Sequence, residues 1–116
     1  MLKIGPAQKV TIHLNEDTVA SDGFLYDDIF AFLFESGISG ATLFRPAAGF
    51  GSHHRVHTSH LGAPGETEHL PVRIEFIELS EKVAELLPRL CAMVSDGMVE
   101  AQDTMIHKVA VGKESV

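Results

Sequence analysis

The segment Gly49–Gly65, GFGSHHRVHTSHLGAPG, cannot be placed in a hydrophobic core, and that restricts where the rest of the chain can build one. Four imidazoles (His53, His54, His57, His60) and the guanidinium of Arg55 fall within eight residues. Side chains of this kind are rarely buried unless paired. Glycines and a proline bracket the segment, which reads as a long exposed loop, about residues 49–69, between two strands. Loops of that length inside a small domain usually carry function.

The loop is also distinguished by what it lacks. From Ile38 to Gly65 there is no Asp or Glu, although the chain holds 16 acids and a formal charge of −7; an even scattering would place roughly four in that span. Arg45, Arg55, the histidines and the peptide N–H groups near Gly49 and Gly51 form a locally basic stretch suited to an anion, above all a phosphate. The same composition also fits a solvated surface loop.

On either side of the loop the hydrophobic period switches between two and 3.6. Residues 9–14 alternate, with Val10, Ile12 and Leu14 on one face and Thr11 and His13 on the other, as in a half-buried strand. Ser21 or Asp22 then offers capping chemistry for a helix over residues 24–36. In that helix Leu25, Ile29, Phe32 and Leu33 form the inner stripe, Phe30 and Phe34 widen the apolar arc, and Gly37 ends it. A second strand over 41–48 contains Pro46, the mark of an edge or a bend. A third covers 70–78, with Val72, Ile74 and Phe76 inward and Arg73, Glu75 and Ile77 outward, and pairs antiparallel with the second. Ser80 caps a second helix running to about residue 95, with Pro88 inside it. Residues 98–111 supply a last strand or two short ones, and the tail from about 112 to 116 is expected to be loose.

The order strand, helix, strand, strand, helix, strand predicts an α+β fold, the ferredoxin-like βαββαβ sandwich. Its four-stranded antiparallel sheet carries two helices on one face. The other face, with Phe44, Ile77, Thr11 and Met105 or Ile106, is expected to be partly apolar and to meet another subunit. With 116 residues, 45% of them hydrophobic, the chain fits a single domain over 1–116. No run of 18 apolar residues is present, and no secretory pattern follows the N-terminus, so a cytoplasmic protein is expected. The single cysteine, Cys91, lies among Leu86, Leu87, Leu90 and Val94 and is expected to be a buried structural thiol. Net acidity argues against nucleic-acid binding.

From Gly40-Ala41-Thr42 through Gly49-Phe50-Gly51-Ser52-His53, then Arg55-Val56-His57-Thr58, and again at the helix opening Glu81-Lys82-Val83-Ala84-Glu85-Leu86-Leu87-Pro88, the chain resembles the PII-like proteins. It looks in particular like the branch catalogued as a domain of unknown function. The resemblance runs from Lys9 to about Ile106. It implies a homotrimeric ferredoxin-like signal transducer that binds an adenine nucleotide between subunits and reports through its long loop to a protein target, such as a membrane channel or transporter. By that analogy Gly49, Phe50, Gly51 and Ser52 lie at the cleft, with His53, Arg55 and His57 along the loop and Arg45 before it. Two PII features are missing: nothing between Glu78 and Ser95 resembles the second, lysine-bearing phosphate loop, and the loop has no tyrosine, Tyr26 being the only one.

Three functions compete on these residues. The first is a non-catalytic sensor of a small anion. The second is a divalent-metal module built on His53, His54, His57 and His60, with a further ligand from Glu66, Glu68, His69 or a neighbouring subunit. The third is an enzyme using Ser52, Thr58 or Ser59 beside a histidine, which lacks an orienting carboxylate in the segment. Arg55 is the only tryptic site between Arg45 and Arg73, and Pro46 shields the bond after Arg45. Limited trypsin digestion is therefore expected to cut first at Arg55–Val56, and a true effector, nucleotide or zinc, to slow that cut. Slow cleavage that no ligand changes would identify a loop already packed in the resting protein.

Overall fold

The alternation seen at residues 9–14 extends in both directions into a strand of 11 residues, β1 (Gly5–Asn15). The computed structural model of the chain describes residues 2–20, 23–50, 57–58 (backbone only) and 70–112. After β1 come a short ladder of β2 (Val19–Ala20) with β3 (Gly23–Phe24), helix α1 (Leu25–Glu35), β4 (Thr42–Phe44) and a ladder of β5 (Ala48–Gly49) with β6 (His57–Thr58). The chain then forms β7 (Pro71–Leu79), helix α2 (Ser80–Met93) and β8 (Gly97–Ile106). The main sheet has the order β4-β7-β1-β8 and is antiparallel throughout. This is the ferredoxin-like sandwich.

One face of the sheet carries the core. Val10, Ile12 and Leu14 of β1 and Val72, Ile74 and Phe76 of β7 pack with Leu25, Ile29 and Leu33 of α1 and Val83, Leu86 and Leu90 of α2. The spacing of the helical residues by three and four keeps each set on one stripe, so both helices bury their apolar side against the same face. Ile12, Ile29, Ile74 and Leu90 are fully enclosed.

Several local expectations are corrected. At the start of α1 the N-cap position is Phe24, which makes no side-chain cap bond, and the amide of Leu25 donates to the Thr18 carbonyl at 2.8 Å; Ser21 and Asp22, the expected caps, lie outside the described residues. Ser80 is the first helical residue of α2 rather than its cap, which falls at Leu79; the Leu79 amide donates to the Glu78 carboxylate at 2.8 Å. Phe34 does not widen the buried arc of α1: it is 85% exposed. Cys91 is exposed, not buried. The reason is the same in both cases. Phe34 and Cys91 each follow a fully buried leucine, Leu33 or Leu90, and one residue is a turn of about 100° around the helix. The predicted second strand is split, with β4 and β5 on either side of Arg45-Pro46-Ala47, and the final segment is one strand.

The second face of the sheet is less apolar than the sequence suggested. Register sets Phe44, Arg73, His13 and Met98 in one row and Thr42, Glu75, Thr11 and Glu100 in the next. Phe44 and Ile77 are 40% and 39% exposed, but Thr11 is buried, and the pleat gives Ile106 rather than Met105 to this side. Charged groups are interleaved with them. Lys9 Nζ lies 3.2 Å from Glu75, the His13 ring N–H donates to Glu100 at 2.9 Å, and Arg73 Nε is 3.5 Å from Glu75. Such half-exposed pairs add little stability one by one, about 0–1 kcal/mol each; together they cover the face with matched charge.

Gly97 starts β8 with φ +152°, and a Cβ there would stand 2.0 Å from the His13 carbonyl oxygen. Gly97→Ala is expected to lose at least about 1–3 kcal/mol of stability. Urea unfolding checks this, and an unchanged midpoint would show that the β1–β8 junction can move aside.

Candidate functional site

The site grows out of the way the second strand is interrupted. Pro46 has no N–H to give a sheet ladder, so the edge strand β4 stops at Phe44 and the chain turns away before pairing resumes. It resumes in β5, whose partner is β6, with Ala48 opposite Thr58 and Gly49 opposite His57. Among the described residues, the predicted long loop is thus represented by a short two-stranded ribbon, β5 with β6. Gly49 is where ribbon and body come closest: a Cβ on it would approach Pro71 Cγ to 2.8 Å. A larger residue there would push the ribbon off the start of β7.

Arg45 sits at the foot of the ribbon and is tied to the other end of the connection from β1 to α1. Its Nη1 forms an ion pair with Glu16, and its guanidinium carbon lies 5.8 Å from the centre of the Tyr26 ring, which stacks on Phe24 at 5.8 Å and 11°. A guanidinium over an aromatic face is attracted to the ring's negative quadrupole. Arg45 is thus a half-exposed clasp between the ribbon's foot and the first helix.

Phe50, 57% exposed, continues β5 and walls a groove of about 320 Å³ against His13, Asn15, Pro71 and Met98. Asn15 is almost fully buried, and its amide donates to Asp96 at 3.2 Å, joining the end of β1 to the turn before β8. A second recess, of about 360 Å³, opens on the other side of His13 and Pro71, between Phe44, Arg45, Pro46 and Arg73. There the Arg73 guanidinium carbon lies 4.4 Å from the centre of the Phe44 ring.

Of the residues singled out in the sequence, Arg45, Gly49 and Phe50 are gathered around the ribbon's foot. The backbone of His57 pairs with Gly49. Gly51, Ser52, His53 and Arg55 lie outside the described residues, as do His54 and His60 of the alternative metal set, the side chain of His57, and Glu66, Glu68 and His69. Among the described residues no three His, Cys, Asp or Glu side chains are grouped to hold a metal ion. Sequence reasoning passed over His13, Asn15, Pro71, Arg73 and Met98 as groove and recess residues. His13 had a signal, as a polar residue on the less apolar face of a strand, but only register brings it between Arg73 and Met98.

The fold, with the ribbon at its edge, is the one seen in PII-like structures. Among solved structures the chain is similar to that of CPII bound to ADP and bicarbonate, from Thiomonas intermedia K12, with 24% identity, a TM-score of 0.60, and 93% of this chain and 95% of that one covered. CPII of the same organism bound to ADP, AMP and bicarbonate matches with 19% identity, a TM-score of 0.63 and coverage of 93% and 100%. Its apo form matches with 18% identity, a TM-score of 0.59 and coverage of 90% and 95%. The chain belongs to the DUF190 family, described as "Uncharacterized ACR, COG1993", whose profile matches residues 7–106. It is also 26% identical over 103 residues to the UPF0166 protein MJ1524 of Methanocaldococcus jannaschii, covering 88% of this chain and 93% of that protein. No helix among the described residues is long and apolar enough to cross a membrane.

Proposed function

We propose that this chain is a non-catalytic PII-like regulator that binds an adenine nucleotide at the foot of its ribbon and signals through the ribbon to a protein target. The observation that carries the reading is the groove between Phe50, His13, Asn15, Pro71 and Met98. It is of ligand-pocket size, has apolar walls with a few polar groups, and shares Phe50 with the strand that leads out into the long loop. A base held against Phe50 stabilises one placement of the ribbon over others, which is all that a ligand-driven switch requires. The nucleotides found with the structurally similar CPII, ADP and AMP, support the choice of ligand.

In this reading a second copy, laid against the charge-studded sheet face, completes the groove in a homotrimer. On this reading the ligand-binding residues are Arg45, Gly49, Phe50, Gly51, Ser52, His53, Arg55 and His57, the basic ones among them serving the phosphates. The target is a protein that the ribbon can enter or cover, such as a membrane channel or transporter on the cytoplasmic side.

Calorimetric titration with ADP, AMP and ATP tests the reading. Phe50→Ala removes a stacking platform and Arg55→Ala a charge-assisted phosphate contact, and each is expected to weaken binding by roughly tenfold or more. No heat with any adenine nucleotide, or equal affinity in both variants, would remove the nucleotide from the reading. Light scattering at micromolar concentration is expected to give three times the mass of one chain; a monomer would leave the groove half built.

A further inference from the structure

We propose that a pocket between the end of α1 and the start of α2 binds an aliphatic diamine, with one ammonium group on the buried carboxylate of Glu78 and the other on Glu81 and Glu85 at its mouth. The pocket, of about 330 Å³, is walled by Ser36 and Gly37 at the end of α1, Glu78 at the end of β7, and Glu81, Lys82 and Glu85 of α2. It shares no residue with the groove or the recess at the ribbon's foot. Pro71, which lines both of those, lies at the other end of β7, roughly 26 Å away along an extended strand. Glu78 continues the buried row of Val72, Ile74 and Phe76 on the helix-facing side of β7. The open sheet face is therefore not involved, and the proposal does not depend on the nucleotide reading.

Glu78 is only 2% exposed, yet its carboxylate has a single partner among the described residues: Oε2 accepts from the Leu79 amide at 2.8 Å, and Oε1 accepts from none. The neighbours that could have supplied a donor are turned elsewhere. Gln8, opposite Glu78 in the β1 ladder, donates its side-chain amide to Asp103 at 3.1 Å. Lys82 Nζ lies 3.9 Å from Glu85 instead. A carboxylate taken out of water is held by a paired cation or by donors to both of its oxygens. The free oxygen on the pocket wall thus marks the place of a cation that comes from outside the chain.

The other walls fit the same charge and decide the rest of the ligand. Ser36 spends its hydroxyl proton on the Phe32 carbonyl, at 2.7 Å, so only acceptor lone pairs remain on its oxygen. The last turn of α1 holds no basic residue to offset the negative end of the helix dipole beside the pocket. Glu81 and Glu85 are exposed and stand one turn apart on the same face of α2. Against these three carboxylates the pocket sets Lys82 alone. Among the described residues no three acidic side chains converge to hold a metal ion. Carboxylates spread in this way suit two positive charges joined by a chain better than one compact ion. Each ammonium group brings three donors and no acceptor, and the methylenes between them lie along Leu79 and the stem of Lys82.

Calorimetric titration of the full-length protein with putrescine at low salt tests the site, with butylamine as the single ammonium, butanediol as the neutral analogue and magnesium chloride as the compact dication. Saturable putrescine binding is expected, at least about tenfold tighter than that of butylamine or magnesium, with no binding of butanediol. Glu78→Gln keeps the shape of the side chain and removes its charge. It is expected to weaken putrescine at least about tenfold and to abolish the rise in melting temperature that putrescine gives the wild type. Should Glu78→Gln fail to fold, the double variant Glu81→Gln, Glu85→Gln, altered only at exposed positions, is expected to bring putrescine down to the affinity of butylamine. Absence of saturable putrescine binding, equal affinity in the folded variants, or butanediol binding as tightly as putrescine overturns the proposal. So does magnesium binding as tightly as putrescine, which would make this an inorganic cation site. Putrescine binding that appears only in Lys82→Met also overturns it, by showing that Lys82 itself fills the place of the ligand. A protein that binds ADP and not putrescine keeps the nucleotide reading and loses this one, and a protein that binds putrescine and not ADP does the reverse.

Discussion

Every other element takes its position from β1. Its backbone is used on both edges: β7 pairs with it from Ala7↔Leu79 to Asn15↔Pro71, and β8 from Gly5↔Ile106 to Leu14↔Gly97. A shift of one residue in either ladder would turn Val10, Ile12 and Leu14 away from the helices and bring Lys9, Thr11 and His13 into the core. Enclosing Ile12 and Ile74 is worth a few kcal/mol each, judged by the usual cost of about 2–5 kcal/mol for truncating such residues. Breaking either register would sacrifice several such residues at once. The pleat of β1 thus determines, through its neighbours, which side chains can meet on the open face.

That open face is where stability and function separate. The core side is conventional packing between a sheet and two helices. On the other side, neighbouring strands place Arg73 beside Phe44 and His13, and Glu75 between Lys9 and Arg73. The two recesses at the ribbon's foot share His13 and Pro71, so a ligand in either one meets the same strand ends and the same departure point of the ribbon. After the break at Pro46 the chain pairs again only in the short β5–β6 ladder, where Gly49 comes close to Pro71. Arg45, held by Glu16 and Tyr26, anchors that ribbon to the start of α1.

Much of this was legible before any coordinates. Alternation in β1 and β7, the three-and-four spacing in both helices and the turn residues between them led to the ferredoxin-like order, and the Gly-Phe-Gly entry to the loop led to the PII-like family. The errors had physical causes that local patterns do not carry. Cys91 and Phe34 lie in apolar neighbourhoods of the sequence, yet each sits one residue past a buried leucine and so faces outward. Ser80 has good capping chemistry, but α2 begins one residue earlier than a Ser80 cap allows.

The sequence by itself determined the element order, the inward faces of β1 and β7 and the buried stripes of the helices. These follow from local periodicity and from the cost of burying charge, which act within a few residues. Only the tertiary structure decided that Arg73 lies on Phe44 beside His13, that Phe50 faces Asn15 and Met98 across a groove, and that Arg45 reaches Glu16. Those pairs are distant in the chain, and they meet because two ladders lock in register on β1, a choice made by the whole buried face at once rather than by any of the residues that it brings together.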